Sequence, residues 1–162
     1  MKYILIVIGV VIVASAGLLL WRDQAVAPGP DGEGTITLKA FFMNDRLDPE
    51  ITCQKVFPVE RTVPYTAGVA QAALKQLLMG PTDEEKARGY GTTIPEGVTL
   101  KSVSIRDGTA YAEFDEALER AVGGSCRVTA IRSQITQTLK QFPTVKNVVI
   151  SIDGRTDDIL QP

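Results

Sequence analysis

Ser125 to Pro143 reads SCRVTAIRSQITQTLKQFP, and this stretch decides the class of fold. Val128, Ile131, Ile135, Leu139 and Phe142 recur at steps of three and four, the period of an α-helix with one buried stripe. Ser125 suits an N-cap, and Pro143 follows the end. Such a helix needs an apolar surface to lie on, and its neighbours supply one. On its far side, Val145 to Asp153 alternates, with Val148, Ile150 and Ile152 on one face of a strand. On its near side, Leu100–Arg106 and Thr109–Asp115 flank Asp107-Gly108, whose positive φ angles make a type I′ hairpin turn. Val103 and Ile105 are expected to face the core on one strand, and Ala110, Ala112 and Phe114 on the other. Glu116 to Ala121 allows one helical turn before the Gly123-Gly124-Ser125 break.

Further upstream, Thr66 is placed to cap a second helix running to about Met79. Val69, Ala70, Ala73, Leu74, Leu77 and Leu78 form its apolar stripe. Gly80 stops it and Pro81 blocks its continuation. Thr82-Asp83-Glu84-Glu85 is a capping box that opens a short third helix ending at Gly89. Tyr90–Gly97 reads as a loop. Thr35–Met43 and Lys55–Val63 alternate as strands, and Pro58 assigns the latter to a sheet edge. The order is β-β-α-(α)-β-β-α-β. It predicts a small α+β domain, 35–154, with a mixed sheet of about five strands packed with two main helices. Residues 155–162 are expected to form a polar tail.

The 162-residue chain has net charge −2, scattered Lys and Arg, and no histidine. That balance excludes nucleic acid as a partner. The missing histidine removes the usual general base, zinc ligand and partner of a nucleophilic Ser or Cys. No cofactor, metal site or catalytic residue is predicted. Asp153, Asp157 and Asp158 match no calcium-loop spacing.

Residues 1–21 read as a membrane segment. Tyr3–Leu20 is uncharged, and with Trp21 it is long enough to span a core of about 30 Å. Lys2 before it places the N-terminus in the cytoplasm and the domain outside. Ala14-Ser15-Ala16 also fits a cleavage site, so a secreted product stays open as the alternative. No Cys stands near its end, which excludes a lipoprotein anchor. Residues 22–34 are a Pro/Gly-rich flexible linker. In an exported domain the two cysteines, Cys53 and Cys126, are expected to form a structural disulfide.

Three pieces carry a family resemblance: Val59-Glu60-Arg61-Thr62-Val63, then Ala73 to Thr82 (ALKQLLMGPT), then Thr93-Ile94-Pro95-Glu96-Gly97. Ile135–Phe142 and Val148–Gly154 continue it. In this order the pieces resemble the germane (GerMN) domain of sporulation and spore-germination proteins. The resemblance implies an extracytoplasmic bacterial module that serves binding or assembly in the envelope, and it implies no catalytic residues.

Candidate contact residues follow from surface chemistry. The outer face of the long helix carries Thr129, Ser133, Gln134, Thr136, Gln137, Lys140 and Gln141. It is polar but nearly uncharged, which suits packing against another protein. The expected partner is an envelope protein or a second copy. Binding of a small ligand or cell-wall glycan is the alternative. It would use the 90–97 loop with Tyr90, Tyr111 on the strand face shared with Glu113 and Asp115, and Arg61 as an anchor for acidic groups. Arg61 lies on the apolar face of its strand, so it must otherwise bond a nearby carboxylate or loop carbonyls.

Overall fold

The computed structural model describes residues 34–161. The anticipated membrane segment (1–21) and nearly all of the linker lie outside the described residues. Among the described residues no helix is long and apolar enough to cross a membrane.

Alternation makes Thr35–Asn44 a strand, β1, with Leu38, Ala40 and Phe42 buried on one face. Phe57–Pro64, β2, pairs with it antiparallel, Thr35 opposite Pro64 and Phe42 opposite Phe57. Pro58 does fall on an edge strand. The 90–97 loop contributes an unforeseen two-residue strand, Tyr90–Gly91 (β3), which pairs with Met43 and Asn44 at the far end of β1. The first sheet therefore runs β2-β1-β3.

The second sheet runs β4-β5-β6. Leu100–Arg106 (β4) and Thr109–Phe114 (β5) form the expected hairpin, with φ of 49° at Asp107 and 76° at Gly108. Asn147–Ile152 (β6) joins β5 in parallel. One mixed sheet of about five strands is thus corrected to two sheets of three. The reason is the helix pair. Val69–Leu78 (α1) and Ser125–Lys140 (α3) pack on each other and both touch β1, while α1 also reaches β4 and α3 reaches β6. Both sheets bury their apolar faces on the same two helices, giving a single core that joins Phe42, Leu74, Phe114, Ile131 and Ile152.

The helix starts differ from expectation. Gly68, not Thr66, is the N-cap of α1, and the Thr66 hydroxyl accepts the Gly68 N–H at 3.1 Å. Gly124, with φ of 86°, is the N-cap of α3, so Ser125 is its first residue. The capping box holds for Asp83–Ala87 (α2): Thr82 Oγ1 accepts the Glu85 N–H, and Glu85 Oε2 accepts the Thr82 N–H at 2.8 Å. Ile105 is 38% exposed rather than facing the core, because β4 is an outer strand. The expected polar tail packs instead: Ile159 and Leu160 are buried, and the Ile159 carbonyl accepts from Arg132 at 2.9 Å.

Beyond β3, no strand among the described residues lies on the free side of β1. Side chains of α3 take that place. The Lys39 N–H donates to Gln141 Oε1 at 2.8 Å, Gln141 Nε2 donates back to the Lys39 carbonyl at 2.7 Å, and the Phe41 N–H donates to Thr138 Oγ1 at 3.1 Å. The Gln141 amide thereby does what a neighbouring strand would do.

Candidate interaction face

The outer face of α3 is shaped by what holds it. Cys53 and Cys126 form a disulfide, with Cα atoms 5.2 Å apart and a sequence separation of 73. It ties the loop between β1 and β2 to the first turn of α3. Inside that loop, the buried Asp48 carboxylate accepts from the Thr52 N–H and hydroxyl, each at 2.8 Å, and from Lys55 at 3.3 Å. Burial opposes its charge, but these donors outweigh it and hold the carboxyl below its ordinary value. Ile51 and Cys53 adopt left-handed backbone, φ 47° and 63°. That conformation is uncommon for a β-branched residue and is kept here by the hydrogen bonds and the cross-link around it.

The loop so fixed brings Gln54 beside α3. Gln54, Thr129, Arg132, Ser133, Thr136 and Gln137 line a shallow depression of about 310 Å³. Four of the predicted contact residues, Thr129, Ser133, Thr136 and Gln137, thus share one concave surface. Lys140 is exposed at the end of the same helix. Gln141 is engaged with β1 as described. Gln134 is corrected: it is fully buried, donating to Thr93 Oγ1 at 2.9 Å, and does not belong to the outer face. Among the described residues that line the depression Arg132 alone is charged, and its guanidinium is held by the Ile159 carbonyl.

The three predicted ligand contacts are not brought together. Arg61 bonds both oxygens of Glu85, with Nη2–Oε2 at 2.6 Å, and its Nη2 also donates to the Gly80 carbonyl at 3.3 Å. It therefore anchors α2 to β2. The hydrogen bonds from Arg61 outweigh burial and hold the Glu85 carboxyl below its ordinary value, helped by the Thr82 N–H. Tyr111 is 44% exposed on the outer face of the second sheet, beside Ser102, Ser104 and Glu113. Tyr90, stacked under the Arg88 guanidinium at 5.7 Å, lines a separate cleft.

That cleft, about 340 Å³, lies between the cross-linked loop and β3, with Met43, Asp48, Ile51, Lys55 and Lys86 around Tyr90. No site was expected here, because residues 44–52 carry Asn, Asp, Pro and charges and fall between the two predicted strands. The available signal was Leu47 and Ile51, apolar residues in that loop that remain 54% and 60% exposed.

Two three-stranded sheets sharing a helix pair, cross-linked once, define a small α+β module with a concave low-charge helix face. The chain belongs to the Germane family, described as sporulation and spore germination, whose model matches residues 39–158. It is 26% identical over 117 residues to lipoprotein LpqB of Thermobifida fusca, covering 72% of this chain and 18% of that protein. The chain thus spans less than a fifth of the length of that relative. Among solved structures, the tandem GerMN domains of the Bacillus subtilis sporulation protein GerM match with a TM-score of 0.58 at 19% identity, over 79% of this chain and 43% of that one. The first GerMN domain of the same protein matches at 0.52 and 21% identity, over 75% and 85%. These likenesses carry the fold.

Proposed function

We propose that this chain is a non-catalytic interaction module on the outer side of the cytoplasmic membrane, held there by residues 1–21 and docking to another envelope protein through the outer face of α3. If that segment is cleaved, the same module is secreted. The observation that carries the reading is the depression where the cross-linked loop meets Thr129, Ser133, Thr136 and Gln137. Uncharged amides and hydroxyls lose less on desolvation than ionised groups, and the disulfide fixes the surface in advance, so little ordering entropy is lost on docking. The cross-link suits an oxidising compartment. Relatives named as a lipoprotein and a sporulation protein support an envelope setting.

Charging the face tests it. A Thr136→Glu/Gln137→Glu chain should keep its fold by circular dichroism but lose the partner that the unmodified chain retains from solubilised membranes. Identical partners for both chains would reject the α3 face.

The cleft beside Tyr90 favours a second reading, a binder of small ligands or cell-wall glycan fragments. Titration with such fragments should then shift the Tyr90 ring resonances and leave those of Tyr111 in place. No saturable shift at Tyr90 would remove this reading.

A further inference from the structure

Arg132 is the exception on the low-charge face of α3. It is half-buried at the depression, and it donates to the Ile159 carbonyl at 2.9 Å, a neutral acceptor. Carboxylates pair with Lys55, Arg61, Lys86, Lys101 and Arg155, but none among the described residues lies within salt-bridge distance of Arg132. The helix cannot supply one, because Ser125–Lys140 contains Arg127, Arg132 and Lys140 and no Asp or Glu. Arg127 is turned away to the Thr93 and Ala121 carbonyls. The tail that passes Arg132 carries Asp158, but that carboxylate accepts from Arg155 at 3.2 Å. The charge at the depression is therefore positive and uncompensated.

A protein that covers this face takes Arg132 out of water. Burying a charge without a counter-charge is strongly unfavourable, so the covering surface must bring the opposite sign. We infer that the docked protein places an Asp or Glu carboxylate in the depression, paired with Arg132. This rests on the docking through α3 proposed above and names the chemistry of the partner. The guanidinium spends one donor on Ile159 and keeps the others, and its planar fork matches the two oxygens of a carboxylate. The hydroxyls of Thr129, Ser133 and Thr136 and the amides of Gln54 and Gln137 line the same depression and can donate to the same group. A basic partner would instead meet like charge at Arg132 and again at Lys140, exposed at the end of the helix.

The test uses the full-length chain in intact cells, with a photo-crosslinking residue at Gln137 to report docking. Arg132→Gln should lower the yield of the crosslinked product at least about tenfold, the effect of removing one partner of a buried charge pair, while Arg132→Lys keeps most of it. Membranes from the Arg132→Lys cells are then treated with a carbodiimide. That reagent activates a carboxylate, and an amine in contact with it displaces the urea by-product and forms an amide. Mass spectrometry should locate an amide from position 132 to an Asp or Glu of the same partner. A purely structural role for Arg132 in holding the tail would not form that bond. An undiminished product with Arg132→Gln overturns the carboxylate while leaving docking through α3 in place. A product lost with Arg132→Gln but with no amide to Asp or Glu at position 132 overturns it as well, and assigns Arg132 to another anion such as a phosphate. No product at 137 in the otherwise unmodified chain rejects the docking reading itself, and the partner carboxylate with it.

Discussion

Arg61 stands on the inward face of β2 between Val59 and Val63, with its side chain only 13% exposed. A charge there needs a partner, and Glu85 supplies both oxygens from the capping box of α2. Arg61→Ala leaves the Glu85 carboxylate nearly buried without its cation, and should destabilise by about 3 kcal/mol in urea unfolding. A loss under about 1 kcal/mol would place the pair among exposed, weak ones. The pH dependence has a definite sign. The folded pKa of Glu85 lies below its ordinary value of 4.5, so its contribution is complete above that value and is lost as pH falls through the folded pKa. Glu85→Gln should therefore be less stable at neutral pH and show a shallower loss of stability in acid. An unchanged acid limb would assign that loss to other carboxylates, such as Asp48 and Asp115, which are also held low. At this scale the sequence was readable up to a point. The requirement that Arg61 be paired followed from its strand face, and the capping box from its spacing. That the capping Glu85 is also the ion partner depends on how α2 docks against β2, which no local pattern encodes.

Among elements, α3 shows where periodicity informs and where it misleads. Val128, Ile131, Ile135 and Leu139 were correctly placed inside because apolar side chains at helical spacing have one reason to share a face. Gln134 was placed outside because it is polar. It lies instead in a second stripe, Ala130, Gln134, Thr138 and Gln141, turned toward β1 and the 92–97 loop. Thr138 and Gln141 are polar there because the free side of β1 offers N–H and C=O groups that only a polar side chain can satisfy, whereas Gln134 donates to Thr93 Oγ1 and the Ala130 carbonyl. Thr138→Val and Gln141→Ala should each destabilise by about 1–2 kcal/mol, the penalty for unsatisfied backbone groups. The Lys39 and Phe41 amides should then exchange faster, as read by hydrogen–deuterium exchange. Unchanged protection at both would mean that α3 does not cover this edge. The separation into two sheets was illegible for a related reason: alternation tells which face of a strand is buried, but not which strands share a sheet.

For the whole molecule, the disulfide is the longest-range constraint, closing a loop of 73 residues. The chain-entropy model assigns such a loop about 4 kcal/mol, so reduction should lower the urea midpoint by that equivalent and loosen the loop around Gln54 first. Equal stability of the oxidised and reduced chains would leave the cross-link with a shaping role alone. The pairing was readable from the sequence because two cysteines leave one combination. The concave face it frames was readable only in part. Thr129, Ser133, Thr136 and Gln137 followed from the helix period, whereas Gln54 joins them through the cross-linked loop. Docking through this face is tested most directly by placing a photo-crosslinking residue at Gln137 in the full-length chain within intact cells, with Thr62 as the control position. A discrete crosslinked product at 137, absent at 62 and lost when Thr136→Glu is added, is the expected result. No product at 137, or the same products at both positions, would contradict it.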